Sequence, residues 1–109
     1  MKKWYAEEYE FEIEVAGFLR GEHTERYCRN GEEIALTPIE FEILWLLASH
    51  PGRVYSTDEI FEQVWKEQVY EVNNTVMVHI RRLREKIELD SKKPELIKTV
   101  WGVGYKVEG

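Results

Sequence analysis

His79, Arg81, Arg82 and Arg84 fall within six residues of one another, and Asn74, Thr75 and Val78 stand just ahead of them. Arginine presents a rigid, planar fork of N–H donors that matches paired acceptor oxygens or the acceptor edge of a purine. Threonine and valine add methyl groups that fit a small apolar feature beside such acceptors. For these side chains to act together, one element must turn them the same way. Val76, Ile80, Leu83 and Ile87 recur at i, i+4, i+7 and i+11, so at helical spacing they lie within about 60° of one another and mark the buried side of a helix over residues 73–88, capped by Asn73. Opposite that stripe stand Asn74, Thr75, Val78, Arg81, Arg82 and Glu85, with His79 and Arg84 on the flanks. A merely solvated face more often mixes Glu with Lys as helix-supporting pairs. The helix dipole, however, also favours cations near a C-terminus with no ligand involved, and composition alone leaves both readings open.

The rest of the chain supplies what would hold that helix. Residues 11–15 alternate apolar with acidic at period two, residues 26–29 form a second short strand candidate, and Asn30-Gly31 is a hairpin turn signal before residues 32–36. Thr37-Pro38-Ile39-Glu40 has the capping box and early proline of a helix start, followed by an apolar segment ended by Pro51-Gly52. Ser56-Thr57-Asp58-Glu59 repeats the capping pattern, and Ile60, Phe61, Val64 and Trp65 form a stripe expected to face the core. Trp65 at its edge retains an indole N–H for a phosphate. After Pro94, two short strands joined through Trp101-Gly102-Val103-Gly104 read as a terminal hairpin bearing Lys98, Thr99, Tyr105 and Lys106. The expected fold is α+β: an N-terminal antiparallel sheet (11–36), three helices (37–90) and a C-terminal β-hairpin wing (96–108, its strands within 97–107), together a winged helix-turn-helix domain over 11–109. Residues 1–10 are expected to be a linker remnant.

The chain has 109 residues, 43% of them hydrophobic, and a net charge of −6, which fits one soluble domain whose core needs neither disulfides nor a structural metal. The single cysteine, Cys28, suggests a reducing, cytoplasmic setting. The longest apolar run, residues 43–48, is far short of the roughly 20 residues that cross a bilayer, so no membrane association is expected. Net acidity does not exclude a polyanionic partner, because the net negative charge lies in the first 50 residues, which hold 11 acidic against 5 basic side chains, whereas residues 51–109 hold 10 of each. Residues 79–106 carry eight basic against four acidic side chains, and at a screening length of about 8 Å distant acids barely weaken a basic face.

Catalysis fares badly. His23, His50 and His79 are widely separated with no carboxylate or cysteine at ligand spacing, and no phosphate loop or nucleophile motif is present. No enzyme activity, metal or cofactor is expected. Two capped helices, a third with arginines opposite its core stripe, and a lysine-bearing hairpin instead make a plan that can grip duplex DNA at two places. The alternative is a winged-helix protein-interaction module using the acidic sheet and the 66–72 loop.

Residues 36–41, 50–54, 74–87 and 97–105 also resemble the hallmark segments of the DNA-binding effector domain of OmpR/PhoB-type bacterial response regulators, with a specific match over 36–107. That resemblance implies a four-stranded antiparallel sheet, three helices and a wing, with the third helix in the major groove of double-stranded DNA. Position by position it puts Thr75, Val78 and Arg82 at bases, and Trp65, Asn74, His79, Arg81, Arg84, Thr99 and Tyr105 at or near phosphates. It further implies tandem direct repeats in the DNA, a monomer that pairs only on DNA, and contact between RNA polymerase and the loop of Glu67, Gln68, Val69, Tyr70 and Glu71. Two positions depart from the pattern: Asn74 stands where members often carry a basic residue, and Trp101 where many place arginine at the wing tip. Family members carry a phosphoacceptor receiver domain ahead of the effector, for which these residues have no room, so the chain is either an excised effector domain of a two-component system, the favoured expectation, or a stand-alone protein regulated otherwise.

Overall fold

The first helix starts where its caps demand. Thr37 Oγ1 accepts the Glu40 backbone N–H at 3.2 Å and Glu40 Oε1 accepts that of Thr37 at 2.9 Å, with Pro38 in the first turn. Helix α1, Pro38–Ala48, buries Phe41, Ile43, Leu44, Leu47 and Ala48, as a helix apolar on most sides should. A second capping box at Ser56 and Glu59 opens α2, Thr57–Trp65. Its stripe divides: Ile60 and Val64 are buried, whereas Phe61 and Trp65 are half-buried and stack on each other at 5.1 Å between centroids. Helix α2 ends on Lys66 in the left-handed conformation, φ 59°, where a residue with a Cβ costs about 1–2 kcal/mol relative to the right-handed form.

The computed structural model describes residues 2–6, 11–16, 24–29, 32–69 and 74–107. Within these, four antiparallel strands, β1 (Lys2–Ala6), β2 (Phe11–Ala16), β3 (Thr24–Arg29) and β4 (Glu32–Ile34), form one sheet in sequential order. The linker expected over residues 1–10 is corrected by β1, which pairs with β2 in the register Trp4↔Ile13. Lys2–Ala6 lacks the apolar–polar alternation that marks β2; its strand character comes from Trp4 and Tyr5 and from a partner strand that local patterning does not reveal. The sheet therefore begins at Lys2 rather than at residue 11. The pairing Arg29↔Glu32 matches the expected hairpin, whose turn residues 30 and 31 lie outside the described residues.

Helix α3, Thr75–Ile87, is shorter than the expected 73–88: Asn74 is its N-cap without a side-chain capping bond, and Glu88 its C-cap. The expected cap Asn73 lies outside the described residues. Val76, Ile80, Leu83 and Ile87 are all buried, forming one core with α1, Ile97 and Val107. Strands β5 (Ile97–Val100) and β6 (Gly104–Val107) make the C-terminal hairpin. Its turn is closed by Val103 N–H to Val100 O at 2.9 Å, with Gly102 at φ 77°, the geometry of a type II turn that favours glycine at its third position. Tyr55 pairs with Tyr105 through two hydrogen bonds of 2.9 Å and adds a bridge on the other edge of β6. The whole is a winged helix-turn-helix.

Two buried carboxylates fix α3 within this frame. Glu88 accepts the backbone N–H groups of Glu95, Leu96 and Ile97 at 2.9–3.0 Å and so delivers the chain into β5. Glu40, only 2% exposed, bonds Lys86 Nζ at 2.6 Å and ties the start of α1 to the end of α3. Burial pushes the Glu40 carboxyl up, but the Lys86 ammonium and the Thr37 N–H together outweigh it and hold the group below its ordinary 4.5. A carboxyl lowered in the folded state contributes stability that is complete above the unfolded value and fades as pH falls through the folded one. Glu40→Gln keeps a capping side chain but cannot titrate. Its urea midpoint, followed from about pH 6 to about pH 3, is expected to fall less steeply than that of the wild type, and equal slopes would contradict this role.

Candidate nucleic-acid interface

With its core stripe inward, α3 turns Asn74, Val78, Arg81, Arg82 and Glu85 to solvent. Val78 is 42% exposed, and the neighbouring Met77, which its sequence position does not single out, is 52% exposed. Arg82 makes no hydrogen bond or ion pair among the described residues, so its fork is available to an outside acceptor. Arg81 faces Glu85 at 3.7 Å in a solvated i,i+4 pair, which is worth little and is easily exchanged for a phosphate. Thr75 is half-buried at the N-terminal end of the same face.

The flanks are more engaged than a helical projection suggests. His79 is half-buried, its Nδ1 lies 2.8 Å from the Thr75 carbonyl oxygen, and its ring meets Trp65 edge-on at 5.2 Å. A carbonyl oxygen only accepts, so the geometry assigns the proton to Nδ1.

Arg84 points into the protein. Its Nη2 donates to Ile97 O at 2.8 Å and to Thr99 Oγ1 at 2.9 Å, and its guanidinium carbon lies 5.4 Å from the centre of the Tyr105 ring. Its Nε is buried without a partner among the described residues. Burial pulls the Arg84 pKa below the ordinary value, against the opposing pull of Tyr105 and Glu88. Arg84, Thr99 and Tyr105 thus form one cluster that ties the wing to α3. Sequence spacing gives no sign of this link, because it joins residues 13 and 15 positions apart through a loop whose path Glu88 sets.

A shallow groove runs beside this cluster, lined by Asn74, Met77, Arg81, Arg84, Lys92 and Tyr105. In the sequence, Lys92 counts only toward the positive charge of residues 79–106; the basic pair Lys92-Lys93 ahead of Pro94 is the signal that could single it out. Of the four acids between residues 79 and 106, Glu88 is buried, and of the eight bases Arg84 points inward, so the two largely offset each other in the outer charge. In the 66–72 loop, Glu67 and Gln68 are exposed and Val69 is half-buried. Tyr70 and Glu71 lie outside the described residues. Among the described residues no helix is long and apolar enough to cross a membrane.

Residues 31–107 match the family model described as "Transcriptional regulatory protein, C terminal". The chain belongs to this family. Regulatory protein VanRc of Enterococcus gallinarum is 50% identical to it over 97 residues, which are 89% of this chain and 42% of that protein. The chain therefore spans less than half the length of this curated relative. Two solved structures share the effector-domain fold. The DNA-binding domain of RstA from Klebsiella pneumoniae, solved in complex with the RstA box, has a TM-score of 0.70 and 31% identity, covering 76% of this chain and 82% of that one. Response regulator DrrB of Thermotoga maritima, an OmpR/PhoB homologue, has a TM-score of 0.71 and 38% identity, covering 78% of this chain and 38% of that one.

Proposed function

We propose that this effector domain binds double-stranded DNA in a sequence-specific manner and regulates transcription as the output module of a cytoplasmic two-component response regulator. The observation that carries the reading is the solvent-facing side of α3, where Arg81, Arg82 and Val78 stand together with no core role. A helix of this width fits the major groove, where an arginine fork matches guanine and small apolar groups meet the thymine methyl. Arg82, Thr75 and Val78 read bases; Arg81, Asn74, His79 and Trp65 approach phosphates. Arg84, Thr99 and Tyr105 work chiefly by holding the wing beside α3. The 66–72 loop, which leaves α2 through the left-handed Lys66, is the contact for RNA polymerase. The RstA domain, alike in fold and solved with its box, supports the DNA reading.

Selection of binding sites from random duplex DNA tests this reading. The chain is expected to enrich two direct half-sites about 10–10.5 base pairs apart, since only that spacing presents the same groove face to two recognition helices. Free of DNA it is expected to sediment as a monomer. Affinity should fall as salt rises from about 50 to 200 mM, with a log–log slope of about −0.9 for each phosphate neutralised by a Lys or Arg side chain. Enrichment of no sequence, or a tight dimer without DNA, would overturn the reading.

A further inference from the structure

Two adjacent lysines on the loop between α3 and β5 face different surroundings. Lys92 lines the groove that is also bounded by Asn74, Met77, Val78, Arg81 and Glu85 of α3. Lys93 lines a separate, smaller hollow with Leu89, Asp90 and Glu95. The loop that carries them is held at both ends. Glu88 gathers the backbone N–H groups of Glu95, Leu96 and Ile97 where the loop enters β5. Nearer α3, Asp90 Oδ1 accepts the Lys92 N–H at 3.0 Å and Asp90 O accepts that of Lys93 at 2.9 Å. An aspartate bonded to the backbone two residues on makes a defined turn, which fixes the point from which each lysine leaves the chain.

Charge separates the two hollows. The groove holds Arg81, Arg84 and Lys92 against one acid, Glu85. The other sets Lys93 among Glu88, Asp90 and Glu95, so an anion entering it meets carboxylates. Within the groove the cations are not equally free. The Arg84 fork is engaged by Ile97 O and Thr99 Oγ1, and Arg81 is shared with Glu85. Lys92 is exposed, and its ammonium makes no hydrogen bond or ion pair among the described residues. An ammonium is a compact charge on a flexible stem, suited to a phosphate oxygen rather than to the paired acceptors of a base edge. We propose that Lys92 donates to a backbone phosphate of duplex DNA when the outer face of α3 enters the major groove, which makes the loop between α3 and β5 a DNA-contacting element in its own right. This rests on the reading of the chain as a DNA-binding domain. Val78 and Arg81 bound the same groove as Lys92, so a strand flanking the seated helix comes within reach of the loop. Such a contact fixes the placement of the protein on the duplex and carries no base preference.

The test uses the 109-residue chain and a duplex selected from a random pool by the wild type. Lys92→Ala is expected to weaken binding by about tenfold at about 50 mM salt and about threefold at about 200 mM, with a salt slope shallower by about 0.9. Lys92→Arg should restore the slope. Lys93→Ala is the control, equal in charge and one residue away, and is expected to leave affinity within about twofold and the slope unchanged. The Lys92→Ala variant keeps the backbone N–H that Asp90 accepts, so its urea midpoint should equal that of the wild type. Neutralising single phosphates as methylphosphonates locates the contact: at one phosphate per half-site the wild type should lose affinity and Lys92→Ala should lose no more. Equal slopes in Lys92→Ala and Lys93→Ala, or the absence of any phosphate whose neutralisation Lys92→Ala ignores, would each overturn the proposal. If the wild type retains no duplex, the DNA reading fails with it; intact wild-type binding with an indifferent Lys92 removes this proposal alone.

Discussion

Gly104→Ala is expected to destabilise the domain by roughly 3–5 kcal/mol, a large part of the stability ordinary for this size. A Cβ at Gly104 would sit 2.0 Å from Tyr55 O, 2.7 Å from Tyr55 C and 2.8 Å from Ser56 Cα. All three are backbone atoms, so no side-chain rotation relieves the overlap. Either β6 withdraws from Tyr55 or the segment before α2 shifts. The first loses the paired Tyr55–Tyr105 hydrogen bonds at a buried position, at about 1–3 kcal/mol for groups left unsatisfied, added to about 1–3 kcal/mol of overpacking. The second disturbs Ser56, the N-cap of α2. Gly102→Ala is the control, because a methyl group there would meet nothing within 4 Å and only the φ of 77° resists substitution, at about 1–2 kcal/mol. Thermal unfolding should separate the two variants, with Gly104→Ala losing roughly 12–20 °C. A Gly104→Ala midpoint equal to or above that of Gly102→Ala would show that the wing does not depend on this close approach.

The second large effect belongs to binding. Arg82 is exposed and unengaged among the described residues, so Arg82→Ala should leave stability within about 0.5 kcal/mol of the wild type. If its fork meets a guanine, its loss costs about 1–3 kcal/mol on a duplex carrying that base and much less on duplexes already mismatched there. Arg81, as a phosphate contact, gives a different signature: Arg81→Ala lowers affinity alike on all sequences and reduces the salt slope by about one. Arg84 is a poor comparator, since removing it frees the wing from α3 as well as deleting a cation.

Much of this is legible in the sequence because it is local. The stripe of Val76, Ile80, Leu83 and Ile87 is helical geometry written in residue spacing, and both capping boxes occupy four consecutive positions. The outward set on α3 follows from the same spacing. What escapes such a reading depends on contacts between distant segments. The Lys86–Glu40 pair joins residues 46 positions apart. Glu88 looks like one acid among several until its carboxylate is seen gathering three backbone N–H groups. Arg84 lies only one step round the helix from solvent, and its inward course is decided by a carbonyl and a hydroxyl on β5. Strand β1 has no alternation of its own and is defined by β2. Gly104 reads as a turn residue, whereas its role is set by how closely the Tyr55 backbone passes.

The central claim, that the outer face of α3 reads base edges, is tested most directly by titrating wild type and Arg82→Ala against the selected duplex and every single-base variant of it. The expected result is a loss of discrimination confined to one base pair per half-site, with preferences elsewhere and the salt slope nearly intact. Discrimination retained at every position by Arg82→Ala, or lost evenly across all of them, would contradict it.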